Sequence, residues 1–292
     1  MNLAIFGRTV TKPMLPYLQE FIRQVEKMTE VTLVFRSFYD QLNDRVQFTR
    51  GPVLFSHETD LQGKADFLCT IGGDGTILDA VALAVNSGIP IVGVNLGRLG
   101  FLSTISKDEM IPALKEILAG RYMLEDRTLL EIRGGTKLFG GFPYALNEFT
   151  VYRSDQQTMI TTSVFINDEF LNAYWADGLI VSTPTGSTAY SLSCAGPIIV
   201  PGSENFVITP IASHNLTVRP IVIRDDSTIR IVVEGNGSEF FISMDSRKEM
   251  VSGGIELIVS KAALPVRLVR LPDRHFFKTI REKLNWGLDA RN

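Results

Sequence analysis

Cysteine is scarce in this chain: Cys69 and Cys194 are the two such residues among 292. That is too few for a disulfide framework. Each lies among small or apolar neighbours, so two buried free thiols in a reducing cytosol are expected. Histidine is nearly as rare. His57, His214 and His275 are scattered, no pair has metal-ligand spacing, and no cysteine is near one in sequence. None of the three reads as catalytic. An excess of basic charge is also missing. The formal net charge is -3, which leaves no electrostatic footprint for nucleic acid and no polybasic run for a membrane surface. Long apolar runs are absent too. The longest uncharged window, from Ala80 to Gly97, is broken by Asn86, Ser87, Gly88 and Pro90, so it reads as helix, turn and strand rather than a membrane span. The opening Asn2-Leu3-Ala4-Ile5-Phe6-Gly7 has no basic n-region and does not read as a signal peptide. Two nucleotide-loop fingerprints fail as well. There is no G-x-x-x-x-G-K-[ST], and Leu78 stands where the dinucleotide fingerprint needs its third glycine. No Gly-x-Ser-x-Gly elbow supports a serine hydrolase.

What remains is an ordinary globular composition, 45% hydrophobic and 21% charged, long enough for one large or two moderate domains. As far as Gly120, strand-like and helix-like segments alternate. Asn2 to Gly7, Val31 to Phe35, Phe67 to Ile71 and Ile89 to Val94 read as strands. Met14 to Met28, Phe38 to Phe48, Gly75 to Asn86 and Lys107 to Leu118 read as helices. This alternation predicts βαβ units and a parallel, two-faced sheet. From Arg121 to about Leu271 the texture changes to short β-type runs separated by Gly, Asn, Asp and Pro, which predicts an all-β sandwich or barrel. Pro272 to Trp286 reads as a final helix.

The chain is organised around Phe67-Leu68-Cys69-Thr70-Ile71-Gly72-Gly73-Asp74-Gly75-Thr76. A buried strand runs into a glycine turn and then a helix. Glycine-loop N–H groups and a helix N-terminus suit an anion such as a phosphate chain. Asp74 does not, because a carboxylate repels phosphate. It suits a base, a metal partner, a hydroxyl acceptor or a helix cap. Asn95-Leu96-Gly97-Arg98-Leu99-Gly100-Phe101-Leu102-Ser103 follows a parallel strand, so it belongs to the same ligand-binding sheet edge. Arg98 could meet a phosphate there, although an ordinary surface arginine is the plainer reading.

The β region adds Asn147-Glu148, Asp177-Gly178 and the hydroxyl-rich Thr183-Pro184-Thr185-Gly186-Ser187-Thr188-Ala189-Tyr190-Ser191. Amide, carboxylates and hydroxyls are a natural set for sugar hydroxyls, and Tyr190 offers a ring to a base. A solvated loop capping a helix is the simpler alternative, against which Leu192, Cys194 and Ala195 suggest packing.

Taken in order, Gly72-Gly73-Asp74-Gly75-Thr76, Asn95-Leu96-Gly97 with Leu99-Gly100-Phe101-Leu102, Asn147-Glu148, Asp177-Gly178 and Ser182 to Tyr190 resemble the bacterial NAD kinase (ATP-NAD kinase) family. The glycine motif alone is shared with diacylglycerol-kinase-like and phosphofructokinase-like enzymes. The resemblance implies a Rossmann-like α/β domain over residues 1–122, an all-β domain binding the dinucleotide over 123–271, and a terminal helix over 272–292 returning to the first domain. It implies transfer of the ATP γ-phosphoryl to the adenosine-ribose 2′-hydroxyl of NAD, giving NADP and ADP, with Mg²⁺ delivered by the nucleotide rather than held by protein ligands. Asp74 matches the proton acceptor and Gly75 lies beside the ligand. Asn147 and Glu148 match the pair on the ribose hydroxyls, and Asp177 a polar contact. Thr188, Ala189, Tyr190, Ser191, Leu192 and Ser193 match the segment at the adenine end, and Ala212 a small residue by the nicotinamide. A cytoplasmic homo-oligomer, dimer or tetramer, is implied. Two departures stand out. Asp245-Ser246-Arg247 replaces the frequent Asp-Gly-Gln, so that Arg247 could meet a phosphate or a carboxylate. Trp175 replaces a frequent basic residue. A lipid or sphingoid-base kinase and a non-enzymatic NAD(P) sensor are the competing readings.

Overall fold

The computed structural model describes residues 1–42, 44–134, 138–154, 159–234, 239–272 and 274–287. They fall into two compact units, one of Met1–Asp126 with Val266–Asn292 and one of Arg127–Pro265.

The first unit is a sheet with helices on both faces. Its strands are β1 (Leu3–Gly7), β2 (Thr32–Phe35), β3 (Val53–Phe55), β4 (Phe67–Ile71), β5 (Ile91–Asn95), β6 (Ile105–Ser106) and β7 (Met123–Arg127). They run in the order β3-β2-β1-β4-β5, then the late strand β20 (Val266–Arg270) and β7, with β6 beside β5. The pairings among β1 to β5 are parallel. β1, β4 and β5 are buried along their whole length, which is why they read as continuous apolar runs rather than alternating ones. Helix α1 (Leu15–Met28) inserts Leu18, Phe21, Ile22 and Val25, spaced as one helical stripe. It shares an apolar cluster with α2 (Arg36–Leu42), α4 (Met110–Leu118) and one face of the sheet. Helix α3 (Asp74–Val85) takes the opposite face, where a Cβ on Gly93 would meet Ile77 at 2.6 Å. The strand order reverses between β1 and β4, so the Gly72-Gly73-Asp74 turn lies at the topological switch point, where open sheets bind ligands.

The second unit is a sandwich of two six-stranded sheets. One contains β8 (Leu130–Arg133), β9 (Tyr144–Ala145), β11 (Ile160–Ile166), β12 (Glu169–Ala176), β16 (Ile229–Val233) and β19 (Ile255–Lys261). The other contains β10 (Glu148–Arg153), β13 (Gly178–Ser182), β14 (Asn205–Ile211), β15 (Ile221–Arg224), β17 (Glu239–Met244) and β18 (Arg247–Ser252). Alternate residues from the two sheets, among them Phe149, Val151, Leu179, Val181, Ile231 and Leu257, form one core.

Three expectations need correction. The second helix ends at Leu42 rather than Phe48. The β-type runs do continue to Arg270, but the last of them, β20, joins the first unit, pairing in parallel with β5, Leu268 opposite Ile91. A lone apolar strand carries no sign of which sheet it will join. The last helix, α6 (Phe276–Leu284), is shorter than Pro272 to Trp286 and belongs to the first unit. Within that unit Arg274 pairs with Glu109 beside α4.

Candidate functional site

In the first unit the chain leaves β4 at Gly72, whose N–H still donates to Val94 O at 2.9 Å. Gly73 is the N-cap of α3 and is extended, so Asp74 is the first helical residue and not the cap. Its carboxylate turns onto the loop that follows β5. Oδ2 accepts the Phe101 N–H at 2.7 Å, and Oδ1 accepts the N–H groups of Leu102 at 3.1 Å and Ser103 at 2.9 Å. The Ser103 hydroxyl donates to Oδ1 at 2.8 Å. The approach is close enough to demand glycine at 100, where a Cβ would lie 1.8 Å from Oδ1. Gly75 is exposed beside this carboxylate on the first turn of α3. The cap role weighed for Asp74 is therefore overturned, and an anchored anion at a helix N-terminus takes its place.

The second unit assembles its polar residues along β10 and β13. Glu148 opens β10 and pairs with Ser182, the last residue of β13. Asp245 lies in the β17–β18 hairpin, at a φ of 52°. Its carboxylate accepts the N–H groups of Leu146 at 2.8 Å, Asn147 at 2.8 Å and Glu148 at 3.2 Å. From the other side, Thr183 donates its N–H to Asn147 O at 2.9 Å and its hydroxyl to Leu146 O at 2.6 Å. A Cβ on Gly186 would lie 2.1 Å from Asn147 O, so this loop fits against the Asn147 backbone only through glycine. Asn147 and Glu148 are thus fixed through their backbones.

The hydroxyl run then folds back over the outer face of the sheet as a 3₁₀ turn (Gly186–Thr188) and a short helix α5 (Tyr190–Ser193). Its hydroxyls are mostly engaged within the fold. The Ser187 hydroxyl donates to Pro184 O at 2.7 Å and accepts the Ile199 N–H at 2.9 Å, Thr188 donates to Thr185 O at 3.2 Å, and Ser191 bonds Thr209 in mid-strand at 2.8 Å. Ala189 is half-buried, as is Leu192, whereas Tyr190 and Ser193 are exposed. Tyr190 is the residue of this run with both a ring and free surface.

Burial governs the electrostatics here. The Tyr190 N–H bonds the Glu148 carboxyl, yet Glu148 Oε2 is sealed from solvent with no hydrogen-bond partner among the described residues. Desolvation, and after it the nearby Asp245 charge, push the Glu148 carboxyl up to about 8. Asp245 is also raised by burial, opposed by its three backbone N–H bonds and by Arg247. Burial raises the Tyr190 phenol as well, followed by the influence of Cys194, Tyr152, Asp177 and Glu148.

Asp177 and Ala212 sit at the other end of the β10–β13–β14 pairing, where Gly178 is opposite both Tyr152 and Ile211. That is about 13 Å along the strand from Glu148. Asp177 pairs with Arg153 at 2.7 Å, and Ala212 is exposed with φ 45°. Trp175, 51% exposed, faces His214 with ring centroids 4.3 Å apart. The Arg247 guanidinium donates to the carbonyls of Phe142 and Tyr144, lies 4.8 Å from the Phe142 ring and acts on the Asp245 carboxyl, so it braces the approach to Asn147. Cys69 is buried but Cys194 is only half-buried.

Sequence reasoning passed over Ser103, Asp245 and Thr183 as contacts. Ser103 and Thr183 stood inside quoted motifs, but nothing in their spacing revealed their partners. Among the described residues no group of three or more His, Cys, Asp or Glu side chains could hold a metal ion. No described helix is long and apolar enough to cross a membrane.

Comparison with known proteins gives concordant findings. The ATP-NAD kinase N-terminal domain model matches residues 22–122 and the ATP-NAD kinase C-terminal domain model matches residues 146–271. A curated NAD kinase from Cytophaga hutchinsonii is 45% identical over 293 residues, covering 100% of both chains. The crystal structure of yeast NADH kinase complexed with NADH superposes with a TM-score of 0.88 at 26% identity, covering 99% of this chain and 88% of that one. An NAD kinase from Archaeoglobus fulgidus in complex with ATP shares the fold, with a TM-score of 0.73 at 23% identity over 98% of this chain and 99% of that one.

Proposed function

The chain belongs to the ATP-NAD kinase family, and we propose that it makes NADP by transferring the γ-phosphoryl of ATP to the adenosine-ribose 2′-hydroxyl of NAD. The observation that carries the chemistry is the Asp74 carboxylate, anchored by four donors at the head of α3. The ribose oxygen forms a bond to the γ-phosphorus as the bond from that phosphorus to the β–γ bridging oxygen breaks. ADP leaves, and the hydroxyl proton passes to Asp74. An alcohol of high pKa gives up its proton only as the new bond forms, so a carboxylate that accepts a hydrogen bond and then a late proton is sufficient. Rigid placement matters more than basicity in such a transfer.

Asn147 and Glu148 take ribose hydroxyls, supported by the backbone bonds that hold both residues still. Tyr190 stacks on the adenine, supported by its exposed ring. Gly75 adjoins the ligand, and Thr188, Ala189, Ser191, Leu192 and Ser193 frame its adenine end. Asp177 and Ala212 contribute from the far end of the strands. A divalent cation, Mg²⁺ by its preference for phosphate oxygen and water, would come with the triphosphate. It neutralises phosphate charge when bound. A homo-oligomer, dimer or tetramer, would cover the exposed Phe170 and Trp175 of the edge strand β12. Two free thiols suit a cytoplasmic setting.

The deciding experiment incubates purified chain with NAD, ATP and Mg²⁺ and detects NADP with an NADP-specific dehydrogenase, with Asp74→Asn alongside. NADP from the wild type and a loss of at least about a hundredfold in the variant are expected. Undiminished turnover in Asp74→Asn overturns the role of the aspartate.

A further inference from the structure

Asp74 is reached from behind by a buried chain of donors. Asn95, the last residue of β5, is 7% exposed, and Ser103 is fully buried. The Asn95 amide has a fixed orientation. Its Oδ1 accepts the Gly97 N–H at 2.8 Å, while Nδ2 donates to Arg98 O at 2.5 Å and to Ser103 Oγ at 3.3 Å. A serine hydroxyl that receives the amide hydrogen from one side is directed to send its own hydrogen to the other. On that other side is Asp74 Oδ1, at 2.8 Å.

The consequence concerns the two carboxylate oxygens. An ionised carboxylate has roughly four lone-pair sites, two on each oxygen. Oδ1 already accepts three hydrogen bonds, from Leu102 N–H, Ser103 N–H and the Ser103 hydroxyl, whereas Oδ2 accepts one, from Phe101 N–H. Both lone-pair sites of Oδ1 are taken, whereas Oδ2 has a single donor among the described residues. We propose that Ser103, oriented by Asn95, is a positioning residue that locks the Asp74 carboxylate with Oδ2 as the oxygen that receives the ribose hydroxyl proton. Without the Ser103 hydroxyl, Oδ1 falls to two backbone donors. The three backbone N–H groups still hold the carboxylate, but its tilt about the Cβ–Cγ bond is less narrowly set, and the acceptor direction of Oδ2 is less well aimed. The residue does not touch substrate, so its removal acts on the transfer step and not on nucleotide affinity.

This inference rests on Asp74 being the proton acceptor, and the test separates the two. Ser103→Ala is expected to lower kcat for NADP formation about tenfold, with KM for NAD and for ATP within about twofold of wild type. The melting temperature should fall by no more than several degrees, since the two hydrogen bonds of the Ser103 hydroxyl are lost while the three backbone donors to Asp74 remain. Ser103→Thr keeps the hydroxyl and is expected to recover kcat to within about threefold. A wild-type kcat in Ser103→Ala overturns the proposal, as does a loss that appears in KM, or a threonine variant as slow as the alanine one at unchanged melting temperature. If Asp74→Asn is inactive while Ser103→Ala turns over normally, the positioning role alone fails. If Asp74→Asn is active, the acceptor reading itself fails.

Discussion

Replacing Glu148 with glutamine tests whether this carboxyl holds a proton in the folded protein. Its Oε2 is sealed from water with no hydrogen-bond partner among the described residues, and the Asp245 charge lies close by. Both conditions disfavour the anion, and they carry the carboxyl from its ordinary 4.5 to about 8. The folded-state value therefore lies above the unfolded one. The folded state holds this proton between about pH 4.5 and 8, while the unfolded chain has released it. Stability from this group is full below the unfolded value and is lost as pH rises through about 8. At about 1.4 kcal/mol per pH unit, the upper bound is about 5 kcal/mol, and relaxation of the site should leave about 2–3 kcal/mol. Glutamine keeps an acceptor for the Tyr190 N–H and cannot ionise. The two proteins should thus unfold alike near pH 5, and the variant should be the more stable at pH 9 by about 1 M in urea midpoint. Trp175 belongs to the unit containing Glu148 and Trp286 to the other. Fluorescence in a Trp286→Phe background therefore reports the correct transition. Parallel pH profiles for the two proteins from pH 5 to 9 would refute the reasoning.

Two further substitutions probe each half of the chemistry. Gly100→Ala puts a Cβ 1.8 Å from Asp74 Oδ1; it should destabilise the first unit by about 1–3 kcal/mol and cut kcat about a hundredfold, read by thermal melting and the NADP assay. Arg247→Gln removes the guanidinium that holds the Phe142 and Tyr144 carbonyls; KM for NAD should rise several-fold with kcat within about twofold, because the segment leading to Asn147 loosens while Asp74 is untouched, and an unchanged KM would show that Asp245 and Thr183 suffice.

Local patterns made much of this molecule readable. The apolar run Phe67–Ile71 before two glycines gave β4 and the turn, and the quoted motifs gave the family. What stayed hidden depends on distant partners. The donors to Asp74 lie 27 to 29 residues away, and those to Asp245 lie 97 to 99 away. Nothing in a window of ten or twenty residues can register such contacts. Strand β12 shows the alternating pattern only in part: over Glu169–Ala176, an edge strand, burial alternates at Ala173–Ala176 and not before. The hydroxyl-rich run illustrates the limit of composition. Thr183, Ser187 and Ser191 have the chemistry of ligand contacts, but burial directs their hydroxyls to the protein itself.

Asp74 and Asp245 use the same device to different ends. Each carboxylate accepts the N–H groups of three consecutive residues, 101 to 103 in one case and 146 to 148 in the other. Such an arrangement stiffens the segment that donates and the side chain that accepts. Asp245 is half-buried and gives both carboxylate oxygens to backbone N–H groups, so it acts on the Asn147-Glu148 backbone and on the charge felt by Glu148. Asp74 is likewise half-buried, but it opens a helix. It also receives a fourth donor, the Ser103 hydroxyl, on the oxygen that already has two. Asp245 divides its three backbone donors in the same way, two on Oδ1 and one on Oδ2, so what sets Asp74 apart is the added Ser103 hydroxyl and its place on the first turn of a helix.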